Sequence, residues 1–235
     1  VDVIDETQDV SKYKLLIAPM LYMIRPSVDA RIAEFVKNGG TLVITYWSGI
    51  VNETDLVYLG GWPGGKLREV QGIWAEELDA LTKVDTNTLV PEADNGLGLK
   101  GEYTITDYCD LIHTEGAEVL ATYKDDFYAG RPALVVNGYG EGKAYTLSAN
   151  GDDRFLNDLY GALAGELDLL RSLDAHLPNG VSAQLRSDGE RDYVFVMNFN
   201  DAARGLDLGE GVYTDLLTGE ELTGVVTLGV YDVKV

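Results

Sequence analysis

The 235-residue sequence predicts an α/β domain followed by a small all-β domain. Three observations lead to that expectation. The chain opens with two continuous apolar runs, LLIA and TLVITYW, separated by a helical stretch, the pattern of parallel strands buried on both faces. From residue 97 the sequence changes to strand-like segments joined by glycine-rich turns. After DAHLPNG at 174–180 every segment is strand-like, with turn signals about every ten residues, as in a small sandwich.

The first run lies in YKLLIAPMLYMI at 13–24 and is closed by Pro19. In RPSVDARIAEFVKNGG, Val28, Ile32, Phe35 and Val36 recur at helical spacing. Pro26 and Ser27 mark its start and Gly39 its stop. The strand TLVITYW follows, so residues 13–47 read as one right-handed βαβ unit. Residues 49–75 are glycine-rich around Trp62-Pro63 and read as a long, partly irregular excursion. A short helix is expected near Glu76 to Leu81. YTITDYCDLIHT, AEVLATYK and PALVVNGYGEGKAYTLSA read as an antiparallel set whose last two strands form a hairpin around Gly138 to Gly142. A helix is expected from about Asp153 to Leu173, where Phe155, Leu159, Leu163, Leu167 and Leu170 recur at spacings of three and four. The expected domains are 1–174 and 175–235, with DAHLPNG as the linker.

Composition narrows the function classes. Hydrophobic residues make up 46% and charged residues 24%, as in globular proteins, and no apolar run approaches the roughly 20 residues that span a bilayer. The net charge of −21 disfavours nucleic acid and anionic lipid as partners. Its scattered acids read as a solubilising surface, with salt adaptation as the second reading. One cysteine, Cys109, permits no internal disulfide and suits a reducing, cytoplasmic compartment. With two histidines it offers too little for a metal site, and no cofactor motif is present. The N-terminus VDVIDETQDV has neither signal-peptide features nor an initiator Met, which suggests a piece of something longer.

The turn after TLVITYW is the first place to look for chemistry, because ligands of open α/β sheets bind beyond the carboxyl ends of the strands. The order helix, Gly39-Gly40, buried strand, Trp47-Ser48-Gly49 resembles the flavodoxin-like fold of class I glutamine amidotransferases. There a Cys-X-Gly elbow holds the nucleophile and a late strand supplies a histidine. Here Trp47 takes the cysteine's place, and LSANGDD at 147–153 contains no histidine. A nucleophile without a base is not activated. Ser48 would need His113 or His176 to approach in space, and YWSGI is not G-X-S-X-G. Asn52-Glu53 copies a glycosidase pair, but eight strand–helix repeats of about 250 residues do not fit. Catalytic residues are expected to be absent.

YKLLIAPMLYMI, IAEFVKNGGTLVITYWSGIVNETDLVYLGG at 32–61 and REVQGIWAEELDAL at 68–81 resemble the second domain of glycoside hydrolase family 42 β-galactosidases. YTDLLTGEE at 213–221 and the surrounding β tail resemble their C-terminal domain. The resemblance implies an amidotransferase-like trimerisation domain and a β-sandwich. The catalytic glutamates would lie in a (β/α)8 barrel upstream, so this chain alone is expected to be inactive. It also implies that a first strand and helix precede VDVIDE. In that reading Tyr22, Tyr46, Trp47 and Trp62 are candidate interface residues, or the rim of a neighbour's sugar pocket. Tyr58 and Trp74 complete the aromatic set, with Trp74 read as core. Ordinary core packing is the alternative for Trp47 and Trp62. The chain would then self-associate, as a homotrimer. Autonomous sugar binding and a Ser48 hydrolase are the competing functions.

Overall fold

The two opening apolar runs form neighbouring parallel strands. The computed structural model describes residues 1–235, which divide into two compact units, Val1–Asp168 and Leu169–Val235. The first unit begins with β1 (Leu15–Ala18), the short β2 (Met23–Ile24), α1 (Val28–Lys37) and β3 (Thr41–Thr45). β1 pairs with β3 in parallel, Leu15 opposite Thr41. α1 buries Val28, Ile32, Ala33, Phe35 and Val36, the expected face, and Asp29 and Lys37 oppose the helix dipole at its two ends.

β3 shows why its sequence does not alternate. Leu42 and Ile44 pack with α1 in one core, whereas Val43 enters a second core on the opposite face. A strand buried on both sides needs apolar residues at every position. The chain continues through β4 (Val51–Asn52), α2 (Leu67–Gln71), β5 (Ile73–Ala80), β6 (Asn87–Pro91), β7 (Tyr103–Thr114), β8 (Glu118–Tyr123), β9 (Pro132–Tyr139), β10 (Gly142–Leu147), β11 (Ala149–Gly151) and α3 (Asp153–Glu166). Nine strands form one mixed sheet in the order β1-β3-β10-β9-β8-β6-β7-β11, with β5 added on β7. Within it only β1 with β3 and β3 with β10 pair in parallel. β9 and β10 form the expected hairpin, closed between Tyr139 and Gly142. β2 and β4 make a separate parallel pair beside the elbow.

Two expectations are corrected. Residues 76–81 are not a helix. α2 lies earlier and ends at Gly72, which takes φ +61° and whose added Cβ would stand 2.7 Å from the Asn137 side chain. Released there, the chain extends as β5 against β7, burying Ile73 and Ala75, with a register shift between Ala75 and Glu77. The last helix stops at Glu166 rather than Leu173. Asp168 adopts φ +48°, and Leu170 is 97% exposed. Its start is firm, since Asp152 caps it by accepting the Phe155 N–H at 2.8 Å.

The second unit is entirely β. β12 (Val181–Ser187), β13 (Asp192–Asn198), β14 (Arg204–Asp207), β15 (Tyr213–Thr214), β16 (Glu221–Leu222), β17 (Val225–Leu228) and β18 (Val233–Lys234) form a three-stranded sheet and two two-stranded ones. Its core gathers Leu173, Val181, Val196, Leu206, Leu208 and Leu228. Asp215, fully buried, ties the chain end to the β15–β16 turn. It accepts from the Leu217 N–H (3.1 Å), the Thr218 hydroxyl (2.9 Å) and Lys234 Nζ (3.1 Å). Burial pushes its carboxyl up, but those donors outweigh burial and hold it below the usual aspartate range. Because the folded pKa is lowered, this stabilisation is present above the unfolded value and is lost as pH falls through the folded one. Asp215→Ala is expected to destabilise the second unit by about 3 kcal/mol. Hydrogen exchange should show protection lost in 181–235 and kept in 1–168; uniform loss, or none, contradicts this role.

Candidate functional site

The carboxyl end of β3 turns through Tyr46-Trp47-Ser48-Gly49. Trp47 takes φ +59°, a region that an aromatic residue occupies only under constraint from its surroundings. Those constraints are visible. The Tyr46 N–H donates to the Leu147 carbonyl at 2.7 Å, and the Trp47 N–H donates to Asp110 Oδ2 at 3.1 Å. Ser48 Oγ accepts the Leu21 N–H at 2.9 Å, and Thr45 Oγ1 accepts that of Met20 at 2.8 Å. Gly49 and Ile50 donate to the carbonyls of Leu21 and Tyr22, and Gly64 donates to that of Gly49. Gly49 itself takes φ +71°, and a Cβ there would lie 2.6 Å from Pro63 Cβ.

Three of the four residues singled out from the sequence come together. The Tyr22 and Trp47 ring centroids are 6.3 Å apart, and Tyr46 joins them through Tyr108, 5.9 Å from Tyr46 and 4.9 Å from Trp47. Trp62 reaches the region from the glycine-rich loop. Its backbone bridges to Ala75, and its ring packs on Ile73, Ala75, Ile112 and Val135. Tyr58 packs with the α1 core. Trp74 lies apart, stacked on His113 at 4.4 Å, with Arg68 5.8 Å from its ring.

Asp110 and Tyr108 escaped sequence reasoning. Both lie within YTITDYCDLIHT, and period-two alternation places them with Ile112 on one face of β7. That pattern was the available signal. Asp110 is 5% exposed, and Oδ1 has no hydrogen-bond partner. Burial pushes its carboxyl up to about 7, against the opposing pull of the Trp47 N–H and the Trp62 indole. The Trp62 Nε1–H nevertheless lies outside hydrogen-bonding geometry.

The chemistry available here is limited. Trp47 cannot attack a carbonyl, and Ser48 is used to hold Leu21. His113 is engaged on Glu76 at 2.8 Å, while His176 belongs to the second unit. Asn52 Oδ1 accepts from Thr54 and from the Leu56 N–H, so Asn52-Glu53 forms a turn. No group of three or more His, Cys, Asp or Glu is placed to hold a metal ion, and no helix is long and apolar enough to cross a membrane. Cys109 is buried, and burial pushes its thiol up to about 11. The loops beside the elbow instead present apolar side chains to solvent. Met20, Tyr22, Leu56, Val57 and Leu59 are exposed, Leu59 to 98%.

A mixed α/β sheet ending in an elbow that holds tryptophan, followed by a small β unit, defines a two-part region without the components of an acyl-transfer site. Residues 1–170 match the family described as the β-galactosidase trimerisation domain, and residues 180–235 match the β-galactosidase C-terminal domain. The chain belongs to the glycoside hydrolase family 42 β-galactosidases, corresponding to these two domains; the catalytic barrel lies outside it. It is 53% identical over its full length to β-galactosidase Pbg of Clostridium perfringens and 47% identical to β-galactosidase BglY of Alicyclobacillus acidocaldarius. The chain spans about a third (34%) of the length of these curated relatives. The crystal structure of a β-galactosidase from Rahnella sp. R3 superposes over the whole chain and 34% of its own, with TM-score 0.91 and 46% identity.

Gly49→Ala tests whether the elbow is as tightly built as its geometry indicates. Positive φ and the collision with Pro63 together are expected to cost about 3 kcal/mol, read as a lower urea midpoint with unchanged slope. A variant as stable as the parent contradicts this packing.

Proposed function

We propose that this chain is the self-association region of a β-galactosidase, bringing three copies together as a homotrimer. Retaining hydrolysis of terminal β-D-galactosides is assigned to a barrel outside residues 1–235, and the chain alone is inactive. The observation that carries this reading is the exposed apolar group Met20, Tyr22, Leu56, Val57 and Leu59, seated on the hydrogen-bonded elbow. Apolar side chains held out on a braced base suit a contact between copies, where buried aromatic and aliphatic anchors supply most of the affinity. Tyr22 and Trp47 form its aromatic centre, while Tyr46 and Trp62 support it from below. The match to the trimerisation-domain family supports the same reading.

The finer fold assignment belongs with this proposal. Parallel β1, β3 and β10, α1 on one face and an elbow after β3 support a flavodoxin-like, amidotransferase-like ancestry for 1–174. The three small sheets support a sandwich for 175–235. The lone, buried Cys109 suits a cytoplasmic setting.

Light scattering across a dilution series tests the proposal. A trimer of the 25.6 kDa chain has a mass of about 77 kDa. Leu59→Asp is expected to shift the population to monomer with the far-ultraviolet circular dichroism of the folded chain unchanged, because Leu59 contributes almost nothing to the fold of the single chain. A parent that stays monomeric at all concentrations, or a Leu59→Asp trimer, removes this surface from the interface.

A further inference from the structure

The chain contains five Asn-Gly steps, at Asn38, Asn95, Asn137, Asn150 and Asn179. An asparagine before glycine can cyclise on its own backbone, because glycine has no Cβ to obstruct the approach of its nitrogen to the carboxamide. Two freedoms are needed. The carboxamide must swing toward the following residue, and the glycine N–H must be free to lose its proton. Folding removes one or both wherever these groups are held by hydrogen bonds.

Four of the steps are held. Asn95 is buried; its Oδ1 accepts the Leu97 and Leu99 N–H groups, and its Nδ2 donates to the carbonyls of Glu92 and Leu99. Asn137 lies within β9, its Nδ2 donating to the Val70 carbonyl at 2.9 Å. Asn150 lies within β11, its Nδ2 donating to Asp107 Oδ2 at 2.8 Å. Asn38 ends α1. Its Nδ2 donates to Glu34 Oε1 at 2.9 Å, and the Gly39 N–H donates to the Val36 carbonyl at 3.0 Å.

Asn179 is different. It is exposed, and neither its carboxamide nor the Gly180 N–H is tied to another group of the chain. Both residues form the corner of a turn closed by the Val181 N–H on the Pro178 carbonyl at 2.9 Å, with Gly180 at φ +75°. The carbonyl side of the same turn is gripped. The Asn179 carbonyl accepts Asn200 Nδ2 at 3.0 Å, and the Gly180 carbonyl accepts the Phe199 N–H at 2.8 Å. Asn200 Nδ2 also donates to Oδ1 of the buried Asn198 at 2.8 Å, and Asn198 Nδ2 in turn donates to the carbonyls of Ala202 and Gly229. A Cβ on Gly180 would stand 2.5 Å from Asn200 Nδ2, so the turn lies directly on that side chain.

We propose that Asn179 is a site of spontaneous deamidation whose isoaspartyl product loosens the entry to β12. The Gly180 nitrogen attacks Asn179 Cγ, forming the new C–N bond of a five-membered succinimide. The Cγ–Nδ2 bond breaks, and the amide leaves as ammonia with the proton that Gly180 gave up. Water then opens the ring at either carbonyl. Attack at Cγ gives aspartate. Attack at the main-chain carbonyl carbon gives isoaspartate, in which the former side chain carries the backbone onward. Either product adds one negative charge to a chain at −21. Only isoaspartate lengthens the main chain between positions 179 and 180, where the Asn200 side chain leaves no room for another atom. The old Asn179 carbonyl becomes a free carboxylate, and the Gly180 carbonyl moves away from the Phe199 N–H. That hydrogen bond stands directly before the first β12–β13 pair, Val181 with Asn198. The reaction needs only this turn and solvent, and it proceeds whether or not the chain self-associates.

Tryptic mapping of the full chain, aged in mildly alkaline ¹⁸O water and digested in ordinary water, tests the site. The peptide Ser172–Arg186 holds Asn179 as its only asparagine. It is expected to gain about 3 Da and to split into aspartyl and isoaspartyl forms; deamidation during digestion adds only about 1 Da. The other four steps should react at least about tenfold more slowly in the folded chain than in urea, whereas Asn179 reacts at a similar rate in both. The aged form, separated by its extra charge, should contain a fraction equal to its isoaspartyl content whose Phe199 amide exchanges about tenfold faster than in Asn179→Asp. That variant carries the charge without the longer backbone. A 172–186 peptide that gains ¹⁸O only in urea, or more slowly than the peptide carrying Asn38, overturns the site. Phe199 exchange that is the same in the aged form and in Asn179→Asp overturns the loosening.

Discussion

The unit depends most on how the backbone at the end of β3 is satisfied. β3 is central to the parallel strands, with apolar partners on both faces, so its carboxyl end emerges among elements that are already packed. The backbone N–H groups of Tyr46, Trp47, Gly49 and Ile50 are met from several parts of the chain. Residues 20–22, Gly64, Asp110 and Leu147 all exchange hydrogen bonds with positions 45–50. Backbone strain of about 1–3 kcal/mol at Trp47 persists only where its surroundings over-determine the conformation, and these contacts do so. Ser48 shows the consequence for function. A side chain that elsewhere could be a nucleophile serves here as the acceptor that fastens the 20–22 loop.

The same bracing explains how exposed apolar loops can exist without collapsing onto the sheet. Asn52 folds the following turn through three acceptor contacts, and the Tyr58 N–H returns to the Ile50 carbonyl, closing the loop that displays Leu56 and Val57. The 62–64 segment is fixed on one side by the Trp62–Ala75 bridge and on the other by Gly64 to Gly49. Holding such loops in place before any contact forms reduces the ordering cost of association.

What was legible in the sequence was local. LLIA and TLVITYW announced buried parallel strands because burial on both faces leaves a continuous apolar run, and α1 announced itself through Val28, Ile32, Phe35 and Val36. The segment at Glu76 to Leu81 misled because its acidic and apolar residues suit either a short helix or a bulged strand. The deciding fact, Gly72 at positive φ turning the chain onto β7, is a tertiary one. The last helix was overextended because Leu167 and Leu170 continue its spacing, although the backbone reverses at Asp168. At the site, Tyr22 and Trp47 stood out as aromatics near the elbow. Asp110 did not, because its partner lies 63 positions away in sequence and nothing in spacing reports such a contact.

Charge sets the terms on which these loops can meet a second copy. The chain carries −21, and Glu53 and Asp55 sit in the same loop as Leu56, Val57 and Leu59. Asp55 also accepts from the Tyr22 hydroxyl at 3.4 Å, so the apolar group is fringed by carboxylates. Every copy carries the same excess of acid, so two copies repel one another whichever surfaces meet. Added salt screens exposed like charges beyond about 8 Å at physiological ionic strength and leaves apolar contact intact or strengthened. The proposed association through this surface would therefore tighten with salt, opposite to the behaviour of an interface held by paired charges. The proposed contact would have to overcome that repulsion through an apolar centre. Around the elbow, the exposed patch formed by Met20, Tyr22, Leu56, Val57 and Leu59 is the candidate for that centre.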